Sequence, residues 1–134
     1  MAELLFDKTW TINRHSSRFS TSRTPDTETR RYERVGDGYR LTVAGTHNGK
    51  PYEWGYTLQY DGKPHPVHGR PDADAIIGYR INDHITVGFF KKNGTDAGPY
   101  SRHVADDGRS LRVLTAGRNE DGSPFFDVLH YDHR

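Results

Sequence analysis

Hydrophobic and polar residues alternate with a period of two along most of the chain. Tyr39, Leu41 and Val43 share one side of a short stretch, with Arg40 and Thr42 on the other. Tyr52, Trp54, Tyr56, Leu58 and Tyr60 form the longest such stripe, opposed by Glu53, Thr57 and Gln59. The pattern returns in Ile77, Tyr79 and Ile81, in Ile85, Val87 and Phe89, in Leu111 and Val113, and in Phe125, Leu129 and Tyr131. A strand turns successive side chains to opposite faces, so alternation predicts strands that bury one face. No segment sustains a helical apolar stripe for three turns. One helical turn is expected near Pro71-Asp72-Ala73-Asp74, where an aspartate can cap it.

Tight-turn pairs separate these stretches. Asp-Gly occurs at positions 37, 61, 107 and 121, and Asn-Gly at 48 and 93. Such pairs tolerate the positive φ that two-residue hairpins demand. Their regular spacing predicts an antiparallel meander. Eight or nine short strands in sequential hairpins leave long open edges unless the sheet closes on itself. The predicted fold is therefore an all-β, antiparallel up-and-down barrel of about eight strands, with a two-sheet sandwich as the alternative. One domain spans residues 1–134. Residues 1–27 alternate poorly and read as an irregular leader packed on the barrel through Trp10, Ile12 and Phe19.

Composition sharpens this. Only 32% of the 134 residues are hydrophobic, a fraction at which disorder becomes a real alternative. However, 19 basic side chains nearly cancel 18 acidic ones, and 8 Tyr, 6 Phe and 2 Trp supply large buried areas. A core is affordable. No apolar run approaches the ~20 residues of a membrane helix, so no membrane partner is expected. Met1–Phe6 is too short for a secretory signal, and the chain has no cysteine. A cytoplasmic location is the expectation. Residues 8–40 hold eight basic side chains against four acidic ones, but the overall charge of +1 argues against a nucleic-acid partner.

Several segments resemble a group of bacterial lipocalin-like, calycin-type small β-barrel proteins. They are Thr9-Trp10-Thr11-Ile12-Asn13 with Ser17 and Phe19, Tyr32-Glu33-Arg34-Val35-Gly36-Asp37-Gly38, and Tyr56-Thr57-Leu58-Gln59-Tyr60-Asp61-Gly62-Lys63. Pro66-Val67, Gly69, Pro71-Asp72-Ala73-Asp74, Arg102, Asp107-Gly108, Leu111 and Tyr131-Asp132 continue the likeness over nearly the whole chain. The resemblance implies a barrel with an internal cavity and brings no established activity. The chain departs from the group's usual pattern at His65, His68 and Asp127.

Candidate chemistry lies in a few positions. Eight histidines are many for this length, and His65-Pro66-Val67-His68 and His130-Tyr131-Asp132-His133 have the spacing of metal motifs. On a strand that spacing points the two rings to opposite faces, so no metal site and no cofactor are expected. Asp127 shares its face with Phe125, Leu129 and Tyr131, which makes it an inward general acid or base, or one half of a buried ion pair. Arg102 lies between Tyr100 and Val104, either gripping a ligand oxyanion or packing across an aromatic ring. Trp54, Tyr56, Tyr79, Phe89, Tyr100 and Tyr131 are the expected ligand wall. No phosphate loop and no Gly-x-Ser-x-Gly elbow occurs. Two functions follow: binding of a small, mostly apolar or aromatic molecule in the barrel, or a cofactor-free isomerase, cyclase or lyase. In the second, His65 or Asp127 moves a proton and Arg102 steadies an oxyanion. The expected oligomeric state is a monomer or homodimer.

Overall fold

Ten antiparallel strands follow one another around a closed ring in the computed structural model, which describes residues 4–20, 24–119 and 121–133. They are β1 (Thr9–Ile12), β2 (Thr27–Val35), β3 (Gly38–His47), β4 (Lys50–Leu58) and β5 (His65–His68). β6 (Ala75–Arg80), β7 (Ile85–Lys92), β8 (Thr95–Val104), β9 (Ser110–Arg118) and β10 (Pro124–Asp132) complete the set. Each strand pairs with its chain neighbours, and β1 closes the ring against β10. The all-β closed barrel matches the sequence expectation, with ten strands where about eight are predicted. The difference lies in β1 and β5, four residues each, which are too short to show alternation.

The turns set the register. Asn48 and Gly49 have φ of 51° and 76°, and Asn93 and Gly94 have 51° and 79°, as a two-residue hairpin turn requires. The first of these turns places Val43 opposite Trp54, Leu41 opposite Tyr56 and Tyr39 opposite Leu58. Tyr39, Leu41, Val43, Tyr56 and Leu58 all point inward and are buried. Tyr32, Tyr100, Leu111, Leu129 and Tyr131 join them from the other strands.

β6 and β7 run against expectation. Their interior positions are Ile76, Gly78, Thr86, Gly88 and Phe90, whereas Tyr79, Ile81 and Phe89 are 45%, 59% and 44% exposed. The cause is a bulge. Lys92 pairs with Thr95 and Lys91 with Asp96, but Phe90 pairs with Gly98, so one extra residue enters β8. Beyond it Gly88 faces Tyr100 and Thr86 faces Arg102, and both faces of β7 are exchanged relative to an unbulged hairpin. The interior glycines leave room for the Tyr100 ring. A Cβ at Gly88 would lie 2.7 Å from Tyr100 Cε1, and one at Gly78 would lie 2.7 Å from the Tyr100 hydroxyl.

The leader is more ordered than its pattern predicts. Trp10 on β1 is fully buried, and its indole N–H donates to the Leu5 carbonyl at 3.0 Å. After β1 the chain runs beside β10, with Arg18 and Val128 exchanging backbone hydrogen bonds of 2.7 and 2.8 Å. Residues 1–3 and 21–23 of this leader lie outside the described residues. The turn expected at Pro71–Asp74 is a series of bends, with Ala73 buried beneath it. No helix occurs among the described residues.

Candidate functional site

The barrel interior is filled at one end and hollow at the other. Leu5, Phe6 and Trp10 pack into the filled end, near the turns that follow β2 and β8. At the hollow end a cavity of about 300 Å³ opens between the loops that follow β1, β3 and β5. Its wall is mostly apolar: Phe19, Tyr52, Trp54, Pro71, Phe125 and Leu129. Arg30, Trp54, Arg70 and Thr115 also border a second chamber of about 20 Å³ deeper in the barrel, lined further by Tyr32, Tyr56, Tyr100 and Arg102. The inner chamber has room for about one water-sized group.

Four side chains balance the charge at the rim. Glu28 on β2 accepts from Arg30 Nε at 3.0 Å, from the Tyr52 hydroxyl at 2.8 Å and from the Tyr131 hydroxyl. A buried carboxylate needs such a set of partners, because its desolvation cost is several kcal/mol. Burial and the neighbouring Glu28 charge push the Tyr52 phenol up, so it remains a donor to Glu28. The Arg70 fork meets Asp72 with two bonds of 2.8 and 2.6 Å. The Arg30 and Arg70 guanidinium groups lie 5.3 and 4.6 Å from the Trp54 ring centre, and Arg70 also lies 4.6 Å from Phe90. Two cations against one indole hold that ring in place by attraction to its π-system.

The inner chamber is different. Arg102 on β8 is 4% exposed and donates to Thr86 Oγ1 at 2.9 Å. Its guanidinium lies 4.8 Å from the Tyr32 ring centre and 4.6 Å from that of Tyr39. It forms no ion pair among the described residues. The Tyr39 and Tyr56 hydroxyls share a 2.7 Å hydrogen bond, while the buried hydroxyls of Tyr60 and Tyr100 have no hydrogen-bond partner among the described residues. Burial pushes the phenols of Tyr39, Tyr56 and Tyr100 up, so these tyrosines are neutral.

Of the residues expected to line a site, Trp54 borders both chambers, and Tyr56, Tyr100 and Arg102 border the inner one. Asp127 borders the outer chamber, 6% exposed, and its carboxylate accepts the Ser20 backbone N–H at 2.8 Å. That bond ties the leader to the cavity rim. Tyr131 points inward but borders neither chamber, because its hydroxyl donates to Glu28 beneath the Arg30 guanidinium at 4.9 Å. Three further assignments need correction. Tyr79 and Phe89 stand on the outer surface, because the β8 bulge exchanges the faces of β7 and the paired β6 follows. His65 lies outside both chambers, at the start of β5, with Nε2 2.9 Å from Asp61 Oδ1. That contact, with the Lys63 N–H, holds the Asp61 carboxyl below its usual range and braces the β4–β5 turn.

Sequence reasoning overlooks Glu28, Arg30 and Arg70 as cavity residues. Glu28 and Arg30 were recoverable. The turn after β2 places Val35 opposite Gly38, hence Tyr32 opposite Leu41 and Arg30 opposite inward Val43. Glu28 then faces Gly45, where a Cβ would meet the Tyr52 hydroxyl at 2.7 Å. Arg70 sits in a loop whose pattern carries no face information. Among the described residues, no group of three or more His, Cys, Asp or Glu side chains lies together as a metal site would require. Comparison with protein-family models and with curated protein sequences returns no match.

Proposed function

We propose that the protein binds a small, mostly apolar or aromatic molecule in the outer chamber of the barrel. The observation that carries this reading is the cavity of about 300 Å³ at the hollow end, walled by aromatic and aliphatic side chains with a few fixed polar groups. That volume stands at the small end of ligand pockets, which are typically apolar with a few polar groups that orient the guest. The paired charges at the rim favour such a guest too, since Glu28 with Arg30 and Asp72 with Arg70 satisfy each other without it. The barrel architecture and the lipocalin-like resemblance of the sequence support the same reading. A cofactor-free isomerase, cyclase or lyase draws less support. His65 borders neither chamber, and Asp127 is engaged by the Ser20 backbone.

Calorimetric titration with neutral aromatic amides, naphthalene-2-carboxamide among them, tests the proposal. The expected result is one-to-one binding that weakens at least tenfold in Thr115→Phe, which fills the wall shared by the two chambers. Thermal stability should remain close to that of the parent. Absence of binding across the series and of the matching carboxylate, or binding indifferent to Thr115→Phe, overturns it.

A further inference from the structure

The rim and the inner chamber treat charge in opposite ways, and the difference bears on what the guest must carry. At the rim each arginine has a carboxylate: Glu28 for Arg30 and Asp72 for Arg70. In the inner chamber Arg102 has none among the described residues, although it is 4% exposed and keeps its proton at any physiological pH. Among the described residues its hydrogen bond goes to a neutral hydroxyl, Thr86, and its guanidinium lies against the Tyr32 and Tyr39 rings. A guanidinium has five N–H donors, and a buried cation without a counter-charge is costly. The ring faces of Tyr32 and Tyr39 offset only part of that cost. The chamber beside it has the volume of about one oxygen-sized group and is continuous in its wall with the outer cavity through Arg30, Trp54, Arg70 and Thr115.

Resting on the cavity reading above, we infer that the guest is an amphipathic organic anion. Its apolar body occupies the outer chamber, and one oxygen of a carboxylate or phenolate enters the inner chamber against Arg102. The inner chamber admits the leading oxygen and the rim holds the remainder, so the anionic group sits at one end of an otherwise apolar molecule. Neutral Tyr56 and Tyr100 also line the inner chamber. They carry no charge to compete with an anion, and since Arg30 and Arg70, which also border the chamber, are each paired with a carboxylate, Arg102 is the bordering cation without one among the described residues.

A matched pair of probes tests this with the full chain: naphthalene-2-carboxylate against naphthalene-2-carboxamide, titrated by calorimetry at pH 7 and low salt. The parent protein should bind the carboxylate at least tenfold more tightly than the amide. Arg102→Gln should remove that preference while the amide still binds, and Arg102→Lys should retain part of it. The parent comparison stands even if Arg102→Gln does not fold. Equal affinity for the two probes in the parent overturns the anion assignment and leaves the cavity reading intact. A preference that persists in folded Arg102→Gln also overturns it. Failure of both probes to bind overturns both readings.

Discussion

The barrel walls formed by β2–β4 and by β6–β8 are built from similar alternating sequences and turn them in opposite directions. In β3 and β4 the apolar stripe of Tyr39, Leu41, Val43, Tyr56 and Leu58 faces the core. In β6 and β7 Tyr79 and Phe89 face outward, with Ile81 exposed just past β6, and the interior holds Gly78, Gly88 and Thr86 beside Ile76 and Phe90. The outer face of β2–β4 is correspondingly polar, with Thr29, Arg31, Arg40, Thr42 and Glu53. What differs is the turn geometry. A regular Asn-Gly hairpin carries the pattern from β3 to β4 without a slip, whereas the β7–β8 hairpin carries one extra residue. Alternation shows that a strand has two unlike faces. Only the register says which face is inside.

Consequences for stability separate the two walls. The largest effect belongs to the polar interior of β2: Glu28→Ala leaves Arg30 and two tyrosine hydroxyls without their acceptor and should cost about 4 kcal/mol in chemical denaturation. Next comes Gly88→Ala. Its new Cβ would stand 2.0 Å from the Ile77 carbonyl oxygen and 2.7 Å from Tyr100, which should cost about 3 kcal/mol and lower Tm by about 10 °C. The smallest effect is expected for Phe89→Ser, which removes a large apolar side chain from the outer face and should change stability by about 0.5 kcal/mol or less. If Phe89→Ser proves as damaging as Gly88→Ala, the face assignment of β7 is wrong and the contrast between the walls disappears.

Much of the architecture was legible because it depends on local signals. The Asn-Gly and Asp-Gly pairs mark the hairpins, and sequential hairpins with unlike faces lead to a closed sheet. Arg102, Trp54, Tyr56 and Tyr100 were legible as inward for the same reason, being in phase with the strands that carry the core. Tyr79 and Phe89 were not, since the bulge between Phe90 and Gly98 has no sequence pattern of its own that distinguishes Ala97 from an ordinary strand residue. His65 was drawn into the site by its chemical versatility, but its neighbours are set by the short β5 and the Asp61 turn. Glu28 and Arg30 read as surface charges because charged side chains seldom enter a core, and their burial depends on each other.

The most direct test of the cavity reading is to locate a bound aromatic probe by isotope-filtered nuclear Overhauser measurements on the labelled protein. With naphthalene-2-carboxamide, cross-peaks are expected to Trp54, Phe125 and Leu129 in the outer chamber. Cross-peaks to Tyr79 and Phe89 in their place would put the probe on the exposed apolar stripe of β6 and β7 and contradict binding inside the barrel.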